Sequence, residues 1–193
     1  MCKCYEHAIV ITNRALVNGD FLEQLQKVAQ VHPHALILRE KDLPDAEYEK
    51  LAAKVLEIYR AAGVSVFLHS RMEIAERLGC ENIHLSIPVL QDLSDVRRDA
   101  LTANFKEISV SCHSMEDVEL AVKSGATQIV LGTIFETECK KGLKGRGLEF
   151  VREICANCPV PVYAIGGINE ERLPQVMEAG AAGGCMMSGF MRM

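Results

Sequence analysis

Short apolar runs alternate along the chain with longer stretches in which apolar residues recur every three or four positions. The runs are Ala8–Thr12, Ala35–Arg39, Ser65–Leu68, Ile83–Leu85, Glu107–Ser111, Gln128–Leu131, Val162–Ile165 and Gly184–Met187. Their length and their branched residues predict β-strands. Between them, Phe21–Gln30 places apolar residues at Phe21, Leu22, Leu25 and Val28, and Ala46–Ala62 does so at Leu51, Val55, Ile58 and Ala62. Arg71–Leu78, Met115–Lys123, Leu148–Cys155 and Glu170–Glu178 follow the same spacing, and all six stretches are read as helices. Gly63, Gly79, Gly125 and Gly180 each follow a helical stretch and precede a strand, which suits a C-terminal helix cap. Eight strands alternating with helices predict an α/β fold with a parallel sheet, and closure into a (β/α)₈ TIM barrel satisfies the count. An open doubly wound sheet is the alternative. No break in composition divides residues 1–193, so a single domain is expected, with a truncated last helix after strand eight.

Composition narrows the function classes. Of the 193 residues, 49% are hydrophobic and none is Trp, so the core is built from Val, Ile, Leu, Ala and Met. A net charge of −5 argues against a sequence-independent grip on nucleic acid, yet leaves room for a local basic pocket. No apolar run reaches the length of a membrane span and Met1–His7 lacks a signal-peptide layout, so no membrane partner and a cytoplasmic location are expected. Eight cysteines raise the question of a metal. Cys2 and Cys4 are one residue apart, Cys155 and Cys158 form a C-x-x-C, and Cys80, Cys112, Cys139 and Cys185 are scattered. A structural zinc site needs four converging ligands. The arrangement reads as small buried thiols, with no metal expected.

In a parallel barrel, chemistry sits at the C-terminal ends of the strands. Alternation puts Ala35, Ile37, Arg39 and Lys41 on one face of strand two, so two cations reach the pocket mouth if that face points inward. The other reading is a solvated loop with self-paired charges. On strand five, Ser109, Ser111 and His113 share a face, with His113 last. An imidazole can both take and give a proton near neutrality, which makes His113 the candidate acid/base; a helix-capping or packing histidine is the alternative. Strand six runs into a glycine-punctuated basic segment at 132–147, suited either to closing over an anion or to a surface loop. Strands seven and eight end in Ala164-Ile165-Gly166-Gly167 and Met186-Met187-Ser188-Gly189, tight turns that can present backbone N–H groups to a phosphate. Gly167, Met187 and Ser188 are the candidate phosphate ligands, and Thr133 the candidate wall beside them.

These fragments together resemble the thiamine phosphate synthase/TenI family: "LREKD" at 38–42, "SCHSMEDVELA" at 111–121, "GTIFETECKKGLKGRGLEFV" at 132–151, "PVYAIGGI" at 161–168 and "MMSG" at 186–189. The segment from Phe135 to Gly147 is most similar to the TenI, thiazole tautomerase, branch. The synthase branch couples a pyrimidine diphosphate to a thiazole phosphate and uses Mg²⁺ held by Asp residues after strands three and four. Here the matching positions are His69-Ser70 and then Ser86-Ile87-Pro88, without a carboxylate. The family's Gln four residues before Lys41 is Ile37, and one of its loop threonines is Cys139, whereas Lys41, Ser111, Thr137 and Lys140 are kept. The resemblance therefore implies a thiazole tautomerase. It would convert the exocyclic carboxythiazole phosphate tautomer to the aromatic one, with His113 moving the proton and no cofactor. Arg39 and Lys41 would neutralise the substrate carboxylate, and Ser111 and Thr133 would line the pocket. The alternatives are a Mg²⁺-dependent thiamine phosphate synthase, a non-catalytic regulatory protein that binds a phosphorylated ligand, and another phosphate-binding barrel enzyme such as a sugar-phosphate isomerase. Apolar helix faces leave a homodimer open.

Overall fold

Each apolar run becomes one strand of a closed parallel barrel. The computed structural model describes residues 3–136 and 144–193. Strands β1 (Ala8–Ile11), β2 (Ala35–Leu38), β3 (Ser65–His69), β4 (Asn82–Ser86), β5 (Glu107–Cys112), β6 (Gln128–Gly132), β7 (Val162–Ile165) and β8 (Gly183–Met186) pair in sequence order, and β8 closes on β1. This is the TIM-barrel arrangement, and the open sheet is set aside. Outside the strands lie α1 (Phe21–Ala29), α2 (Asp45–Ala61), α3 (Met72–Arg77), α4 (Ile87–Gln91), α5 (Asp95–Asn104), α6 (Met115–Lys123), α7 (Gly147–Asn157), α8 (Leu173–Glu178) and α9 (Ser188–Met191).

Alternation along the strands divides the apolar residues into two layers. Val10, Leu36, Leu38, Leu68, Leu85 and Leu131 point outward and join the core beneath the helices. Ile9, Ile11, Ile37, Phe67, Val130 and Tyr163 point inward and fill the barrel. Both faces are buried, which is why the strands read as unbroken apolar runs. The fit is tight at Gly183, where a Cβ atom would lie 1.9 Å from the carbonyl oxygen of His7.

Helix boundaries follow local chemistry. Gly63, Gly79, Gly125 and Gly180 adopt φ of +68°, +61°, +90° and +104° just past α2, α3, α6 and α8, so all four expected caps form. Helix α8 begins at Leu173 rather than at Glu170. Pro174 suits only the first turn, and the Asn169 side chain accepts from Arg172 N at 2.9 Å, forming a turn ahead of the helix. Helices α4 and α5 were not expected. In α5, DVRRDALTAN, Leu101 is the buried residue, so the sequence carries almost no apolar stripe to read. The last helix is a single turn, tied down by Gln24, whose amide donates to the carbonyls of Phe190 and Met193 at 2.7 and 3.2 Å.

The C-x-x-C lies at the end of α7, with Cys155 inside the helix and Cys158 as its cap. Both thiols are free and half-buried, and burial pushes both up, Cys155 to about 11. Among the described residues, no helix is long and apolar enough to cross a membrane.

Candidate active site

The tail of β2 sorts its charges by sign. Glu40 is 3% exposed and accepts from the backbone N–H of Arg14 and, at 3.1 Å, from its guanidinium. The same guanidinium pairs with Asp42, whose carboxyl it holds below the ordinary range. Both acids are thereby turned to the β1 side, while Arg39 and Lys41 line the cavity at the barrel mouth. Thr12 Oγ1 accepts from Arg39 N at 2.8 Å and fixes the strand end. Among the described residues, both acids pair with Arg14.

On the next two strands the barrel interior turns polar. His69 and His84 are register partners, with ring centroids 5.5 Å apart. Burial, then the positive charges of Lys41 and Arg39, push the His69 imidazole down to about 4. Burial, then His69, Arg39 and Lys41, push His84 well below its ordinary value. Both rings are therefore neutral near pH 7. Tyr48 OH donates to Leu38 O at 2.7 Å and accepts from His69 N at 3.1 Å, stitching the ends of β2 and β3 together. Sequence reasoning noted His69 only for its departure from a family pattern and assigned His84 no role. The signal available was the strand alternation, which puts both on the face shared with the pocket.

His113 closes β5 just ahead of α6. Its backbone N–H donates to Asp117 Oδ2 at 2.7 Å, and its carbonyl accepts from Arg146. Its Nδ1 lies 2.6 Å from the carbonyl oxygen of Gly132. A carbonyl can only accept, so Nδ1 carries the hydrogen and, in the neutral ring, Nε2 has the lone pair.

Opposite β2–β4 lie the turns after β7 and β8. Gly166 and Gly167 have φ of +104° and +64°. A Cβ on Gly167 would meet Glu136 O at 2.8 Å and the Arg172 guanidinium at 2.9 Å, so the turn has room only for glycine. Arg172 braces it by donating to Gly167 O at 2.8 Å while lying over the Phe135 ring. Met187 and Ser188 follow β8 on the same side, and Asn13 Nδ2 reaches Met187 Sδ at 3.8 Å.

One cavity of about 480 Å³ opens between these strand ends. Arg39, Lys41, Ser111, His113, Thr133, Gly167, Met187 and Ser188 all line it, so eight expected site residues converge from the ends of five strands. Thr137 and Lys140 lie outside the described residues. The cavity also takes in Asn13, His69, His84 and Ser86, which sequence reasoning did not put forward as site residues.

A family model described as thiamine monophosphate synthase (TMP-TENI) matches residues 8–190. The chain belongs to this family. It is 33% identical over 184 residues to a protein of Aquifex aeolicus provisionally named thiamine-phosphate synthase 2, covering 94% of this chain and 95% of that protein. It is 27% identical to the thiamine-phosphate synthase of Clostridium acetobutylicum, covering 97% of this chain and 87% of that one. Among solved structures, thiamine phosphate pyrophosphorylase from Pyrococcus furiosus superposes with a TM-score of 0.83 at 25% identity, covering 98% and 89% of the two chains. The names of these relatives point to the coupling reaction, the alternative in the sequence reading, and none names a tautomerase.

Membership of the thiamine monophosphate synthase family raises the question of Mg²⁺, a hard cation that takes oxygen ligands, carboxylates above all. Among the described residues lining the cavity there is no Asp or Glu; Arg39, Lys41, His69 and His84 occupy that side. Glu40 and Asp42, the acids adjacent in sequence, are committed to Arg14. This donor set does not fit Mg²⁺, and two cations pointing into the same space oppose it.

Proposed function

We propose that this family member is a thiazole tautomerase. It isomerises the exocyclic carboxythiazole phosphate tautomer to the aromatic form by proton transfer, without metal. The observation that carries this reading is a lining without Asp or Glu among the described residues, around a histidine whose Nδ1 is held by a backbone carbonyl. The substrate phosphate is assigned to the turns at Gly167, Met187 and Ser188, where tight backbone geometry suits a tetrahedral anion. The carboxylate is assigned to Arg39 and Lys41 across the barrel. The ring then spans the cavity beside Ser111, Thr133 and His113. Nε2 of His113 takes the ring proton, the released electron pair moves into the ring, and the exocyclic double bond shifts inward. The imidazolium returns a proton to the exocyclic carbon. The step is redox-neutral, and aromatisation drives it. Neutral His69 and His84 add no charge to compete with the two anionic ends.

The coupling reaction is the second reading, favoured by the names of the relatives. One pair of assays separates the two. Ultraviolet absorbance follows the tautomer in the presence of a chelator, and thiamine phosphate formation is measured with and without Mg²⁺. Accelerated aromatisation in chelator is the expected result. No acceleration, together with Mg²⁺-dependent coupling, would replace the tautomerase reading with the synthase. Ligand binding with neither activity would leave the non-catalytic regulatory protein.

A further inference from the structure

The barrel interior holds one polar chain that the reaction above does not use. His84 is 3% exposed and lies between two hydroxyls: Ser109 Oγ is 2.8 Å from Nδ1 and Ser111 Oγ is 2.8 Å from Nε2. Ser109 is fully buried, whereas Ser111 lines the cavity. A neutral imidazole has one N–H and one lone pair, so its two serines play opposite parts. With the hydrogen on Nδ1, His84 donates to Ser109 and accepts the Ser111 proton. Ser111 then shows the cavity only lone pairs. With the hydrogen on Nε2, His84 donates to Ser111, and the Ser111 proton is free to point at a ligand.

The cavity selects the second arrangement. Arg39 and Lys41 line the same space as Ser111 and suit it to an anion, which needs donors rather than lone pairs.

We propose that His84 is a positioning residue which, as its Nε2–H tautomer, turns the Ser111 hydroxyl proton into the pocket toward an anionic oxygen of the ligand. The proposal deepens the tautomerase reading and rests on it for the identity of that ligand. Burial keeps the ring neutral, so the tautomer is not lost to protonation near pH 7. The hydroxyl contributes to holding the ligand, and His113 still moves the proton. The effect therefore falls on binding and KM, and little on kcat.

Two measurements test it. Long-range ¹H–¹⁵N correlation spectra of the ¹⁵N-histidine-labelled wild type read the His84 tautomer directly, without turnover. Binding of the aromatic carboxythiazole phosphate is then measured for Ser111→Ala, His84→Gln, His84→Asn and the Ser111→Ala/His84→Asn pair. A protonated Nε2 is expected. Ser111→Ala and His84→Asn should each weaken binding by about tenfold, the scale of one hydrogen bond to a charged group. Adding His84→Asn to Ser111→Ala should then cost little more. His84→Gln, whose amide reaches the place of Nε2, should restore most of the loss; Asn, which replaces Nδ1, should not. A protonated Nδ1, or losses that simply multiply in the double variant, would overturn the proposal. If wild type fails to bind this ligand, the tautomerase reading falls, and the spectrum alone decides the role of His84.

Discussion

The two sides of the β-strands are built to different rules. Outward, Leu36, Leu38, Val55, Leu68 and Val110 form one continuous apolar layer between barrel and helices, all buried. Inward, the apolar cluster of Ile9, Ile37, Phe67 and Val130 stops at β3–β5, where His69, His84, Ser109 and Ser111 take over. Burying polar groups costs free energy unless each finds a partner. At β3–β5 the His84 ring finds both partners in Ser109 and Ser111, and the sector borders the cavity. The outer layer holds the fold, and the inner one gives up packing to carry chemistry.

The largest test of this contrast is His113→Ala. It should lower kcat for aromatisation by about 10²–10⁴-fold, the usual worth of a positioned acid/base, while leaving the unfolding midpoint close to wild type because the side chain is exposed. A large loss of stability would show that His113 belongs to the packing instead. The reverse pattern is expected for Leu38→Ala in the outer layer. Unfolding in urea should show a loss of about 2–5 kcal/mol, and the folded fraction should keep its turnover.

Acid sharpens the comparison further. His69 is neutral in the fold down to about pH 4, whereas an exposed imidazole in the unfolded chain takes its proton near pH 6.5. Between these values the unfolded state binds more protons, so stability is complete above about pH 6.5 and is lost as pH falls toward 4. His84 acts in the same direction. His69 alone should account for a loss of about 2 kcal/mol between pH 7 and pH 5 in denaturant unfolding, and His69→Asn should reduce the drop without abolishing it. A flat profile in wild type would mean that the polar sector is solvated rather than buried.

Smaller effects belong to the rim. Gly167→Ala places a methyl against Glu136 O and Arg172 and strains a positive φ. It should raise KM for the phosphorylated substrate by about tenfold, with a stability change of about 1 kcal/mol. Smallest of all, Cys155→Ser and Cys158→Ser should change turnover by less than about twofold, since they lie under α7, away from the cavity. A larger fall would reopen a functional role for the C-x-x-C.

Much of the site was legible because a barrel strand converts sequence spacing into direction. Arg39 and Lys41 follow Ile37 at a period of two, as His113 follows Ser111, so their inward aim needed only the assumption of closure. Gly166-Gly167 advertised a turn that side chains cannot enter. The histidine pair was harder to see. His69 and His84 are fifteen residues apart, and nothing in either segment says that β3 and β4 bring the two rings to 5.5 Å. Helix α5 was hidden for the opposite reason, since its polar surface gives no periodic signal.

By itself the sequence determined the strand and helix alternation, the glycine caps and which residues share a face on strands two and five, because these depend on residues within a few positions of one another. It also carried the missing carboxylates. The tertiary structure alone decided the partner of the two acids. Arg14 reaches across from the β1 loop to pair with Glu40 and Asp42, while Arg39 and Lys41 line the cavity. It likewise decided the partners of the His113 and His84 rings, Gly132 on the neighbouring strand and two serines of β5. Hydrogen bonds and ion pairs act over a few ångströms of space, and only closure of the barrel brings those partners within range.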